Sequence, residues 1–178
     1  RVAFIVNDLA EIDVDGATLD AERGELSTVV RLSSGCICCT IRGEFEAAVT
    51  QIVEQFAPEM IVVESSGVTN PRTVLHGLNH PQLRLDSVIT VVDAERFMDY
   101  ARHSTAVETQ VYMADFILIN KRELVTNAQL QHVTAQVRRF NNRCAIIPCS
   151  YADVSLDALL GAQGLHADDE LQQTAGEP

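Results

Sequence analysis

The chain has 178 residues, 47% apolar and 21% charged, which suffices for one domain with a sizeable core. Its 25 acidic residues outnumber 13 basic ones and leave a net charge of −12, which argues against a general nucleic-acid binder, since that binding rests on cationic neutralisation of phosphates. Tryptophan is absent, aromatics are 5%, and no apolar run approaches the roughly 20 residues of a bilayer span.

Val2–Val6 is a β-branched apolar run ending at Asn7-Asp8. A strand pattern is already under way at Arg1, with no initiating Met, so a segment upstream is expected. Next comes Ser34-Gly35-Cys36-Ile37-Cys38-Cys39-Thr40, three thiols within four residues, in a loop before a helical pattern. That pattern, Glu44–Phe56, places Phe45, Ala48, Val49, Ile52, Val53 and Phe56 along one stripe. Met60–Val63 reads as a strand ending at Glu64-Ser65-Ser66-Gly67. Pro71 suits the first position of a helix carrying Val74, Leu75 and Leu78. Gly77 and Pro81 interrupt it, which places His76 and His80 in a loop.

Val88–Val92 is a third strand, ending at Asp93, and Phe116–Ile119 a fourth, ending at Asn120-Lys121. Ala128–Phe140 repeats the helical stripe with Leu130, Val133, Val137 and Phe140. Ala145–Ile147 is a fifth strand, and Cys144 and Cys149, which flank it, read as core residues. From Gly161 the sequence turns polar and acidic, giving a domain over 1–160 and a linker or tail over 161–178. Continuous apolar runs alternating with helices indicate an α/β, doubly wound, mostly parallel sheet. Four of the five strands end in polar or acidic residues, at the edge where such sheets bind ligands.

Three elements carry chemistry. A guanine base presents N1–H and N2–H₂ as donors. In Asn120-Lys121-Arg122-Glu123 the carboxylate can accept both while the lysine stem packs along the base. In Glu64-Ser65-Ser66-Gly67 a carboxylate suits Mg²⁺ and a glycine backbone suits close approach of a γ-phosphate. Cys36, Cys38 and Cys39 offer soft thiolates for Zn²⁺, Cu⁺ or a related metal. Five cysteines, an odd count with a vicinal pair, fit a reducing, cytoplasmic setting better than a disulfide framework.

Gly-Cys-Ile-Cys-Cys-Thr, then strand–Glu-Ser-Ser-Gly-x-x-x-Pro, then Val-Ile-Thr-Val-Val-Asp-Ala, then the strand into Asn-Lys, together resemble the CobW-type P-loop GTPases. The likeness runs from about Val2 to Leu160. It implies a P-loop NTPase-like fold and a GTP-dependent metallochaperone that holds Zn²⁺ or Co²⁺ and couples GTP hydrolysis to delivery. A metal-binding or storage module without nucleotide coupling is the alternative. By position, the resemblance makes Cys36, Cys38 and Cys39 metal ligands, with Glu11 as a further carboxylate. It gives Glu64 the Mg²⁺ and water-positioning role and Gly67 the γ-phosphate. Asn120, Lys121 and Glu123 read guanine, and Asn7 and Asp8 lie in a switch-like segment. The implied cofactors are GTP, Mg²⁺ and Zn²⁺ or Co²⁺. The implied partner is a client apo-metalloprotein or cobalamin-pathway enzyme, with a homo-oligomer possible and neither nucleic acid nor membrane involved.

Three departures from the family pattern stand out. Glu123 replaces an aspartate, Asp8 and Ala10 replace a glutamate and a glycine, and no Gly-x-x-x-x-Gly-Lys-Thr phosphate loop occurs. The one lysine, Lys121, already belongs to the base-reading element. These 178 residues alone are therefore expected to hydrolyse GTP poorly.

Overall fold

The computed structural model describes residues 1–6, 27–31, 42–67 and 69–160. They form two compact units, divided between Leu83 and Arg84. All strand pairing among the described residues is parallel.

In the first unit β1 (Val2–Val6) is central, flanked by β2 (Ser27–Arg31) and β3 (Met60–Glu64). Val2 is in register with both Ser27 and Met60, and Val6 with Arg31 and Glu64. The apolar run at β1 forms a central strand because it can bury side chains away from water along its length, and Ala3, Ile5 and Val6 are all buried. Helix α1 (Arg42–Phe56) lays Phe45, Val49 and Ile52 against Ala3 and Ile5, with Val74 closing the cluster. Phe56 departs from the expected stripe and is 38% exposed, because it is the last residue of the helix.

Val74 belongs to α2 (Pro71–Gly77), whose start follows from local chemistry. Asn70 caps it, accepting from the Arg72 N–H at 3.0 Å, and Pro71 sits where a missing N–H costs nothing. His76 is helical rather than in a loop, since the helix persists to Gly77; His80 lies beyond it, with Nδ1 accepting from the Gln82 N–H. Gly77 is dictated by packing. A Cβ there would run into the Phe45 ring, 2.7 Å from Cε1 and nearer still to Cδ1.

In the second unit the order is β4 (Ile89–Asp93), β5 (Phe116–Asn120), β6 (Ala145–Pro148). Ile117, Leu118 and Ile119 are all buried, so β5 is covered on both faces. One face packs with α3 (Phe97–His103), α4 (Thr105–Tyr112) and α5 (Asn127–Phe140), through Phe97, Val111, Val133 and Val137. Cys144 joins that cluster, while Cys149 packs with Leu118 and Leu159. Both thiols are free and buried, as their core reading expects. Burial is the leading influence that pushes each thiol above the usual cysteine range. Helix α5 starts with a reciprocal cap in which Thr126 and Gln129 satisfy each other's backbone.

Strands β1, β3, β4, β5 and β6 match the five expected from the sequence, with ends shifted by a residue at most. Strand β2 and helices α3 and α4 were not expected. No described helix is long and apolar enough to cross a membrane.

Candidate functional site

In the second unit the carboxyl ends of β4 and β5 are adjacent, because the parallel register sets Asp93 beside Asn120. The Ala94 N–H donates to the Asn120 carbonyl at 3.0 Å and carries the edge into the next turn. That turn is closed by Asp93, whose Oδ1 accepts from the backbone N–H groups of Glu95 at 2.9 Å and Arg96 at 3.1 Å.

Lys121 follows β5 in the left-handed region, φ 59° and ψ 36°, a conformation costly for a residue with a Cβ and typical of functional turns. It leads into a single turn of 3₁₀ helix, Arg122–Leu124, and its carbonyl accepts from the Leu124 N–H at 3.0 Å. Its Nζ donates to Asp93 Oδ2 at 2.8 Å. Partial burial pushes the Asp93 carboxyl up, but the Lys121 hydrogen bond, the two backbone donors and the lysine charge outweigh it and hold the group below the usual aspartate value. The hydrogen bond to Asp93 raises Lys121 in turn.

The loop after β6 is stapled to this turn. Asn120 Oδ1 accepts from the Ala152 N–H at 2.9 Å, and Arg122 N–H donates to the Cys149 carbonyl at 3.0 Å. Tyr151 and Ala152 both take positive φ, 56° and 53°, so this loop also stores backbone strain. The Ser150 side chain hydrogen-bonds the Glu123 carboxylate and is the main cause that holds it below the usual glutamate value. Glu123 is exposed, so a charged acceptor faces solvent on the same turn as Lys121.

In the first unit β3 ends at Glu64, whose side chain is exposed. The Thr69 N–H donates to the Ser66 carbonyl at 2.9 Å and turns the chain just past Gly67. A Cβ on Gly67 would meet no atom within 4 Å, and its φ is not left-handed. Among the described residues, neither packing nor a left-handed φ requires the glycine.

The predicted residues thus divide. Asn120, Lys121 and Glu123 share one turn of the second unit, and Glu64 and Gly67 share one strand end of the first. Asn7, Asp8, Glu11, Cys36, Cys38 and Cys39 lie outside the described residues. Among the described residues, no group of three or more His, Cys, Asp or Glu side chains is placed to hold a metal ion. Asp93, Ser150 and Ala152 were not assigned roles from the sequence. Only Asp93 left a trace there, as an acidic strand end.

The family model described as the CobW/HypB/UreG nucleotide-binding domain matches residues 1–148. A protein named zinc chaperone CobW from Sinorhizobium sp is 29% identical, over 99% of this chain and 61% of its own length. Zinc chaperone YjiA from Escherichia coli K12 is 25% identical, over 98% of this chain and 56% of its own. Zinc-regulated GTPase metalloprotein activator 1 from Dictyostelium discoideum is 22% identical over 90% of this chain and 42% of its own. The crystal structure of the Zn(II)-bound YjiA GTPase from E. coli superposes with a TM-score of 0.67 at 16% identity, over 92% of this chain and 62% of that one, a likeness of fold. The chain spans little more than half the length of the curated bacterial relatives it matches.

Proposed function

Since this chain belongs to the CobW/HypB/UreG family of P-loop GTPase domains, we propose that it binds guanine nucleotide at the Asn120–Glu123 turn and serves a zinc metallochaperone whose metal holding depends on the nucleotide. The observation that carries the reading is the turn itself. Glu123, its carboxyl held below the usual glutamate value by Ser150, follows Lys121 on one turn, and Asn120 staples the adjoining loop through Ala152. An exposed carboxylate with two oxygens complements the N1–H and N2–H₂ donors of guanine, whereas adenine offers only one N–H₂ on its Watson–Crick edge. Glutamate in place of the family's aspartate adds a methylene to the reach of the carboxylate.

The remaining residues take the roles the family pattern implies. Glu64, an exposed hard oxygen donor at a strand end, fits Mg²⁺, which when bound neutralises phosphate charge. The open backbone at Gly67 suits a γ-phosphate oxygen. Asn7 and Asp8 take the switch-like role that the family pattern implies. Cys36, Cys38 and Cys39, with Glu11, are the candidate ligands for the cargo, Zn²⁺ or Co²⁺. An order–disorder change of the Asn7–Glu11 segment with the γ-phosphate would reshape the metal ligands and release the ion to a client apo-metalloprotein.

A chelator-competition titration of Zn²⁺ and Co²⁺ on the full-length protein tests this, with GDP and with a non-hydrolysable GTP analogue. Tight binding that shifts with the nucleotide and is lost in Cys38→Ser supports the coupled chaperone, because linkage between two sites is reciprocal. Equal affinity with either nucleotide leaves a metal-binding module without coupled transfer. Binding that survives Cys38→Ser refutes the ligand assignment.

A further inference from the structure

Lys121 is held at both ends. Its Cα is fixed in the left-handed region by the Leu124 hydrogen bond and the 3₁₀ turn that follows. Its ammonium is fixed 2.8 Å from Asp93 Oδ2. Asp93 is anchored in its own right: the β-ladder sets its backbone beside Asn120, and its other oxygen accepts from the Glu95 and Arg96 N–H groups. The four-carbon stem between these anchors therefore runs from the end of β5 to the end of β4. A lysine ammonium sits on a flexible four-carbon stem whose rotamer freedom is lost when the side chain is held in one geometry. A lysine with a free ammonium must surrender that freedom when a flat ring docks on its stem. Here folding has already taken the loss.

We propose that Asp93 is a positioning residue for nucleotide binding, which pins the Lys121 ammonium and so presents the lysine stem as a preformed apolar bar for the base. The proposal rests on the guanine-site reading of the Asn120–Glu123 turn. It also accounts for why an acidic residue ends β4. Asp93 touches no nucleotide in this scheme and acts only through Lys121. The pairing has a second consequence: an ammonium engaged with Asp93 does not wander to a phosphate, so Lys121 serves the base.

The test is equilibrium binding of fluorescent mant-GDP to the full-length protein, in wild type, Asp93→Asn, Lys121→Met, the double variant and Glu123→Ala. Asparagine keeps an oxygen for the Glu95 and Arg96 N–H groups, so the turn survives while the negative charge that faces Lys121 is removed. Asp93→Asn is expected to weaken binding by about three- to tenfold, the scale of one ordered side chain. In the Lys121→Met background the same substitution is expected to change nothing, which a merely structural role for Asp93 would not produce. Unchanged or tighter binding in Asp93→Asn overturns the proposal, as does a loss that adds in full to that of Lys121→Met. Glu123→Ala reports separately on the base site: if it binds mant-GDP as wild type does, the guanine-site reading itself fails, whatever Asp93 does.

Discussion

Asn141 is a buried polar residue of the second unit, and its replacement by alanine gives a sharp test of how that unit is held together. The side chain is 5% exposed. Its Nδ2 lies 2.9 Å from the Val111 carbonyl, 3.0 Å from that of Tyr112 and 2.8 Å from that of Ala114. Its Oδ1 accepts from the N–H groups of Arg143 and Cys144, each at 3.0 Å. One amide thus joins the end of α4 to the start of β6. An amide has two donor hydrogens and two acceptor lone pairs, and all are in use here. A buried hydrogen bond contributes about 1 kcal/mol net, so four positions amount to about 4 kcal/mol. Arg143 lies at the surface, where water can replace its bond, which lowers the expectation to about 3 kcal/mol. With a urea slope of about 2 kcal/mol/M, Asn141→Ala is expected to lower the unfolding midpoint by about 1.5 M without changing the slope. Asn141→Asp retains both acceptor bonds but turns an oxygen toward three carbonyls, and should be no more stable than alanine at neutral pH. A shift below about 0.3 M for alanine, or a wild-type midpoint for aspartate, would refute the reasoning.

Gly77→Ala gains helix propensity but drives a methyl into the buried Phe45 ring, so a net loss of about 1–2 kcal/mol is expected in thermal or urea unfolding, smaller in a Phe45→Leu background. Gly67→Ala separates stability from function: the methyl meets open space, so the unfolding midpoint should hold while GTP turnover by the full-length protein falls. Glu123→Gln should weaken GDP binding by roughly tenfold or more in competition assays, with no matching loss of stability, because it replaces the charged acceptor by an amide. The lowered Asp93 pKa gives acid sensitivity a sign. Its contribution is present above the unfolded-state aspartate pKa and is lost as pH falls through the lower folded value. Across the acid range the wild-type midpoint should therefore fall more steeply than that of Asp93→Asn.

How legible these features are in the sequence depends on how local their causes are. Strand β5 is readable because Ile117, Leu118 and Ile119 are apolar in succession, and they are so because both faces are buried. Strand β2 is not, since only Val29 and Val30 stand between polar ends at the margin of its sheet. Helices α3 and α4 are seven and eight residues long, too short to show a repeating stripe, and are separated by Ser104 in extended conformation. The Asn120–Glu123 turn is readable as a motif, because the base dictates the spacing. Its supports are not: Asp93 lies 28 residues before Lys121, and Ala152 lies 32 after Asn120, joined only through strand register. His76 is helical although Gly77 reads as a breaker in the sequence, because the glycine is there to admit Phe45.

The parallel order of β2, β1 and β3 has a consequence for biosynthesis. Strand β1 is the middle of its sheet, yet its partner β3 lies about sixty residues downstream, and no hairpin can zip the two together. At ribosomal speeds of about 5–20 residues per second, Val-Ala-Phe-Ile-Val emerges several seconds before the edge it must pair with exists. For that interval β1 lacks the β3 partner it pairs with in the folded sheet, a delay set by the parallel topology.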